Sequence, residues 1–343
     1  MRKTLIILLV VLGVTLPAGH VLLNSPWLAE RLVRRAFARF PPGVALREFK
    51  IGSQKFFWPR RFEFGDIRMV LALNGRDLSL ACARIEIGDI RFRRGDREFD
   101  LWIDRVEASY DLLRVRNVRA ELELAFGAKG ARLVQGPMAA EALSWDRAEA
   151  RNVSAEFLAD DKGVYFDLLK GEAFRGAFTG GADVFFTSPF AYSVRLLVKD
   201  METDDLAALS PQVVEKMSGR VNGEVGVSGA GPRLTDFLAD LSMPAGGRVN
   251  ASFLATLTQY VPTLSNYLPS TREKARFDAL IRSGGELAVE TFRLRVQNDS
   301  LDHLAAAITI ESREANVNWN LTYDVFVDGT WDDLLQSWQA IFK

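Results

Sequence analysis

The chain has 343 residues, 48% hydrophobic and 25% charged, a mixture that can pack a core and is unlike a disordered polyelectrolyte. Its 43 basic and 44 acidic residues leave a net charge of −1, so no global field draws it to nucleic acid. A single cysteine, Cys82, excludes an intramolecular disulfide, and two histidines leave little of the usual equipment for acid–base or metal chemistry near neutral pH.

The first element is TLIILLVVLGVTLPAGHVLL, Thr4 to Leu23, which carries no formal charge and follows Arg2 and Lys3. At helical rise this run spans about 30 Å of hydrocarbon. It predicts a transmembrane signal anchor over residues 1–24. The rival is a cleaved signal peptide with residues 5–12 as its apolar heart. Leu16, however, stands where a cleavage site near Ala18 needs a small residue. Arg2 and Lys3 favour a cytoplasmic N-terminus, although the arginines behind the span oppose it by bare count.

Residues 25–43, SPWLAERLVRRAFARFPPG, predict an amphipathic helix. Ser25 caps it, Pro26 suits its first turn, and Pro41-Pro42-Gly43 stops it. Trp27, Leu28, Leu32, Val33, Ala36, Phe37 and Phe40 recur at helical spacing, against Glu30, Arg31, Arg34, Arg35 and Arg39. Such a helix covers the edge of a core, or lies on a membrane with its arginines on lipid phosphates, or does both. Trp27, Arg31, Arg34, Arg35, Phe37, Arg39 and Phe40 are the candidate membrane-surface residues.

From Val44 the period changes to two. ARIEIGDIRF (83–92), RAELELAF (119–126), AYSVRLLV (191–198), GRVNGEVGV (219–227), GELAVETFRLRV (285–296) and ANVNWNLTYDVFV (315–327) each alternate apolar and polar residues. In the second, Leu122, Leu124 and Phe126 share one face and Glu121 and Glu123 the other. Breaks are read at Arg94-Gly95-Asp96, Asp161-Lys162-Gly163, Gly180-Gly181 and Ser283-Gly284-Gly285. No long helical pattern alternates with these strands, which argues against βαβ winding and for an extended, mostly antiparallel sheet. Short helices are expected around Thr203–Met217, around Ala251–Tyr260 and toward Leu268, and over Thr330–Lys343, whose apolar stripe suits packing on the sheet. The soluble part divides into an N-terminal lobe, 44–200, and a C-terminal lobe, 201–343, with a seam near residues 200–218. The phrases Arg84-Ile85-Glu86, Arg105-Val106-Glu107 and Arg119-Ala120-Glu121 recur at uneven spacing, which suggests stacked hairpins and no strict solenoid.

Catalytic signatures are missing from the sequence: no phosphate loop, no H-E-x-x-H, no G-x-S-x-G and no C-x-x-C. His20 lies in the apolar run and His303 stands alone, so both read as structural. Cys82 reads as a small buried strand residue. The pairs Asp160-Asp161, Asp204-Asp205 and Asp332-Asp333 read as solvated turns or caps, and Arg60-Arg61 and Arg93-Arg94 as edge-strand charge. No catalytic residue, metal or cofactor is expected. What remains is a long sheet with one apolar face. That face packs into a closed core, or the sheet curves into a trough that holds acyl chains; periodicity alone leaves both open.

The segment SPWLAERLVRRAFARFPPGVALREFKIG resembles the membrane-exit segment of the AsmA-like family of Gram-negative bacteria. ARIEIGDI and RVEASYDLLRVRNVRAELEL resemble the strands that follow there. MSGRVNGEVGVSGAGPRLTDFLADLSMPAGGRVNASFLATL is similar to the family's C-terminal pattern. The resemblance implies a curved β-groove related to chorein-type bridge-like lipid transfer proteins. It also implies a single-pass inner-membrane protein with its bulk in the periplasm, phospholipids as partners alongside other envelope proteins, and a role in envelope or outer-membrane maintenance. This chain is shorter than full bridges, so the expectation extends to a shuttle, a part of an assembly or an adaptor. A structural component of an envelope assembly, such as a secretion-system protein of the GspN type, is the alternative. The candidate groove residues are Leu122, Leu124, Phe126, Phe174, Phe178, Phe186, Val194 and Leu196.

Overall fold

The computed structural model describes residues 25–37, 44–57, 61–73, 76–93, 96–127, 130–146, 148–187, 189–206, 217–231, 233–250, 282–300, 303–313 and 317–326, with positions 272, 275, 278 and 279. Over these residues the chain is mainly β, as its period of two predicts. The expected membrane anchor and the helices over 251–268 and 330–343 lie outside the described residues. Two compact units divide the chain. One contains residues 1–146 and 156–161; the other contains residues 147–155 and 162–343.

The first unit begins with helix α1 (Pro26–Phe37). Its strands are β1 (Val44–Phe57), β2 (Arg61–Leu73), β3 (Arg76–Arg93), β4 (Asp96–Tyr110), β5 (Leu113–Gly127) and β6 (Gly130–Trp145), followed by β7 (Ala148–Asp160). From β1 to β6 each strand pairs antiparallel with the next. These strands are long, and a strict period of two does not persist along them. Asp66 in β2, Arg105 in β4 and Asn117 in β5 adopt left-handed backbone at φ 51°, 55° and 54°. The apolar positions change parity at each: Phe62 and Phe64 give way to Ile67 and Met69, Ile103 to Val106, and Val115 to Val118. The β4–β5 register slips at the last two. Those at Arg105 and Asn117 are β-bulges, whose extra residue returns the following apolar side chains to the face they would otherwise leave, whereas at Asp66 the register with β1 and β3 is kept and the strands change parity together.

β2 occupies one edge of β1, and α1 closes the other. The Ile51 backbone N–H donates to Glu30 Oε1 at 3.2 Å, and Arg34 Nη2 donates to the Phe49 carbonyl at 3.4 Å. The helix therefore satisfies edge groups that would otherwise template another strand. The basic run at Arg61 does not guard an edge, because β2 lies between β1 and β3. Arg61 instead pairs with Glu86 at 2.5 Å, and Arg84 joins the same carboxylate at 3.0 Å.

In the second unit, β8 (Gly163–Ala173), β9 (Gly176–Phe185), β10 (Ala191–Glu202), β11 (Met217–Ala230) and β12 (Arg233–Ser242) pair in sequence. β12 then pairs with β15 (Thr291–Ser300), β15 with β16 (His303–Ser312), and β16 with β17 (Val317–Phe326). β13 (Gly247–Asn250) and β14 (Glu286–Val289) make a small second ladder on the start of β11. Left-handed residues recur here, Asn152 in β7, Leu168 in β8 and Asp200 in β10, at φ 51°, 49° and 55°, the last two beside register slips. β10 and β11, the strands on either side of the interval where gathered helix signals suggested a seam, pair with each other. The helix expected from Thr203 is short, α2 (Thr203–Leu206), and residues 207–216 lie outside the described residues.

One expected break and one expected strand differ from the sequence reading. Gly180-Gly181 is interior to β9; a Cβ on Gly180 would lie 1.9 Å from the Arg195 carbonyl oxygen, so the glycine serves close strand approach and ends nothing. The segment 285–296 is two strands, interrupted at Glu290. The densest core lies where the small ladder meets the main sheet. Met243, Val249, Leu287 and Ile310 have almost no exposure, and the equally buried Thr203 hydroxyl accepts the Gly219 N–H at 3.0 Å.

Candidate functional site

Antiparallel register turns the alternation of the first unit into lateral rows. Directly opposed residues share a face, so Gln54, Phe64, Ile85, Ile103, Ala120 and Met138 form one row. Phe56, Phe62, Ile87, Leu101 and Leu122 form the row beside it. Beyond the parity changes lie Ile51, Ile67, Cys82, Val106 and Val118, and then Phe49, Met69, Leu80, Ala108, Val115 and Leu143. The result is an apolar face several strands wide.

The opposite face is charged. It carries Glu63, Glu86, Trp102 and Glu121 in one row, and Trp102 lies over Gly88, where a Cβ would come within 2.9 Å of the indole. A pocket of about 490 Å³ lies between Arg68, Ala81, Glu107 and Arg116 on one side and Ser79, Ser109 and Arg114 on the other. Both lines of residues belong to this charged face, and their mixed signs favour no single ligand.

Burial across the apolar face is uneven. Phe49, Ile51, Phe56 and Leu71 of β1 and β2 are buried. Leu101, Ile103, Val106, Ala108 and Tyr110 of β4 are all half-buried, as are Val115, Val118 and Leu124 of β5. This part of the face is an apolar surface only partly covered by the chain's own side chains. The second unit differs: Phe292, Val296, Ile308 and Ile310 are buried in a closed core.

The candidate groove residues divide between the units. Leu122 is buried and Leu124 half-buried on the face just described, whereas the side chain of Phe126 lies outside the described residues. In the second unit Val194 opposes Ala182, Leu196 opposes Gly180, and Val198 opposes Phe178, so Phe178, Val194 and Leu196 share one face. Phe178 is buried against Gly171. Phe174 is not on a strand face: with Arg175 it forms a two-residue hairpin turn, both at positive φ (50° and 55°). Phe186 follows β9 and is exposed, edge-on to Phe190 at 6.3 Å. Sequence reasoning missed the β2–β4 members Phe62, Phe64, Leu101, Ile103 and Val106, because their parity changes along the strands.

Of the membrane-surface candidates, Trp27 is 57% exposed with the Arg31 guanidinium 5.2 Å from its ring centroid, and Arg34 turns to the β1 edge. The side chains of Arg35 and Phe37, and all of Arg39 and Phe40, lie outside the described residues. Cys82 is buried, its thiol directed at the Arg84 carbonyl at 3.3 Å, and burial pushes its pKa up, away from the reactive thiolate. Among the described residues there is no group of three metal-ligating side chains and no helix long and apolar enough to cross a membrane. No protein-family model matches the chain, and no curated protein or solved structure matches it.

Proposed function

We propose that the chain is a membrane-anchored, periplasmic lipid-binding protein of AsmA type that holds phospholipid acyl chains on the apolar face of its first unit. The observation that carries this reading is the half-buried state of the β4 face, and of Val115, Val118 and Leu124 in β5, between a buried β1 edge and a charged reverse face. An acyl chain laid across Leu101, Ile103, Val106 and Ala108 would cover surface the chain leaves wet, at about 0.8 kcal/mol per buried CH₂. The face needs no catalytic group for this. α1 serves two ends: Glu30 and Arg34 hold it on β1, while Trp27 and Arg31 remain outward for headgroups, a pairing suited to a bilayer surface.

The closed core of the second unit favours a second reading, a non-enzymatic structural component of an envelope assembly of the GspN type. One experiment separates the two. Residues 25–343, which keep α1 on its strand edge, are secreted to the periplasm and examined by native mass spectrometry with lipid extraction. Phospholipid at a reproducible ratio, lost in a folded Ile103→Asp protein, supports lipid binding. A lipid-free protein whose folding and mass are unaltered by Ile103→Asp or Leu124→Asp supports the assembly reading.

A further inference from the structure

Two exposed aromatic rings of the first unit each carry a guanidinium. Trp27 is 57% exposed, with Arg31 5.2 Å from its ring centroid; Phe57 is 47% exposed, with Arg61 5.8 Å from its own. A ring capped in this way joins an apolar body to a cationic tip, which is the make-up of side chains at a bilayer interface. The second pair is also held in place. Glu86 is buried and accepts both Arg61 and Arg84, at 2.5 and 3.0 Å, while the Arg61 side chain stays 49% exposed. Two guanidiniums on one carboxylate leave a positive charge over, fixed beside Phe57, where a phosphate could meet it.

The helix sets the direction. Glu30 reaches Ile51 and Arg34 reaches Phe49, so α1 runs antiparallel to β1 and its N-terminus is directed toward the Phe57 end of that strand. Residues 1–24, whose apolar run predicts a membrane span, join α1 at that N-terminus. From these observations we infer that the Phe57–Arg61 pair docks, with Trp27–Arg31, on the bilayer that holds the anchor. The rings sit at the acyl boundary and the guanidiniums on lipid phosphates, so the first unit stands with the Phe57 end of β1 toward the membrane and the Val44 end away from it. The inference rests on the membrane-anchored part of the reading above. It needs no lipid on the apolar face, because Phe57 and Arg61 alternate with Phe56 and Phe62 and stand on the other side of the sheet.

The test uses the full chain in vesicles of equal parts phosphatidylethanolamine and phosphatidylglycerol, doped with a lipid that carries a nitroxide on its headgroup. A thiol-reactive fluorophore is placed at Lys55→Cys, on the Phe57 side of β1, or at Ala45→Cys, about 30 Å away at strand rise. Both positions are exposed, and Cys82 is buried and takes no label. Strong quenching at position 55 and little at position 45 is expected. Phe57→Ser with Arg61→Gln should bring the signal at 55 down to that at 45 with circular dichroism unchanged. Phe57→Ser alone leaves Glu86 both arginines, and should lower the signal roughly twofold even where the double variant does not fold. Equal quenching at the two positions, or quenching at 55 that neither variant lowers, overturns the inference in a chain that floats with the vesicles. A chain that does not float with them removes the membrane-anchored reading itself, and this inference with it.

Discussion

The carboxylate of Glu30 accepts the backbone N–H of Ile51, a residue 21 positions later in the chain, at 3.2 Å. A helix side chain here supplies to β1 what β2 supplies on the strand's other side. Glu30→Ala leaves that edge to water and loosens α1. It is expected to cost about 1 kcal/mol, the lower part of the range for a charged hydrogen bond because the site is only partly buried. Hydrogen exchange reads the effect directly: the Ile51 amide should lose protection while amides between β3 and β4 keep theirs. Equal protection in both proteins would mean that the contact does not hold the helix.

Leu168 carries a different burden. Its backbone is left-handed at φ 49° and its side chain is 75% exposed, so it has strain and little burial to offset it. Four other left-handed strand positions carry Asp or Asn (Asp66, Asn117, Asn152 and Asp200), the residues that tolerate this region best. Leu168→Asn is expected to stabilise the second unit by about 0.5–1 kcal/mol. An unchanged or lower urea midpoint would show that Leu168 makes a contact worth more than its strain.

Much of the sheet was legible because burying one face forces a period of two. Leu122 and Leu124 against Glu121 and Glu123 could be assigned without coordinates. The width of the apolar face could not. It depends on parity changes at Asp66, Arg105 and Asn117, and nothing local in Asp-Arg-Val or Arg-Asn-Val marks a bulge. Glycine was read in one sense only: Gly180-Gly181 looked like a turn and is a close approach of two strands. Phe174 looked like a face residue and is a turn residue, because a hairpin that needs positive φ at two positions took Phe-Arg in place of the usual Asn-Gly. The docking of α1 on β1 is a long-range choice. The helix pattern allowed it, but only the pairing of Glu30 with Ile51 decides it.

The contrast between the two cores makes a quantitative prediction for lipid-free protein. Ile310 is fully buried, and Ile310→Ala should cost about 2–4 kcal/mol through lost transfer energy and a residual cavity. Ile103 is half-buried, so Ile103→Ala should cost under about 1.5 kcal/mol. Urea unfolding of both variants measures the difference. Equal costs would mean that the β4 face is as closed as the second unit's core, and would remove the physical basis for a lipid surface there.

An ion pair between β12 and β15 of the second unit makes a pH prediction. Arg293 Nε and Nη2 hold both oxygens of Asp240 at 2.8 and 2.6 Å, and this paired hydrogen bond lowers the Asp240 pKa below the usual carboxylate value. A carboxylate whose folded pKa is depressed contributes stability that is complete above its unfolded pKa, about 3.9. That stability is lost as pH falls through the lower folded value. The contribution of this pair is therefore constant at neutral pH and disappears below about pH 4. Arg293→Gln keeps a hydrogen bond but removes the charge. It should raise the Asp240 pKa in a carboxyl titration followed by NMR and move the acid-unfolding midpoint to higher pH. The pair is solvent-accessible, so salt should shrink the difference. A midpoint insensitive to both the substitution and salt would show that Asp240 and Arg293 only decorate the strand surface.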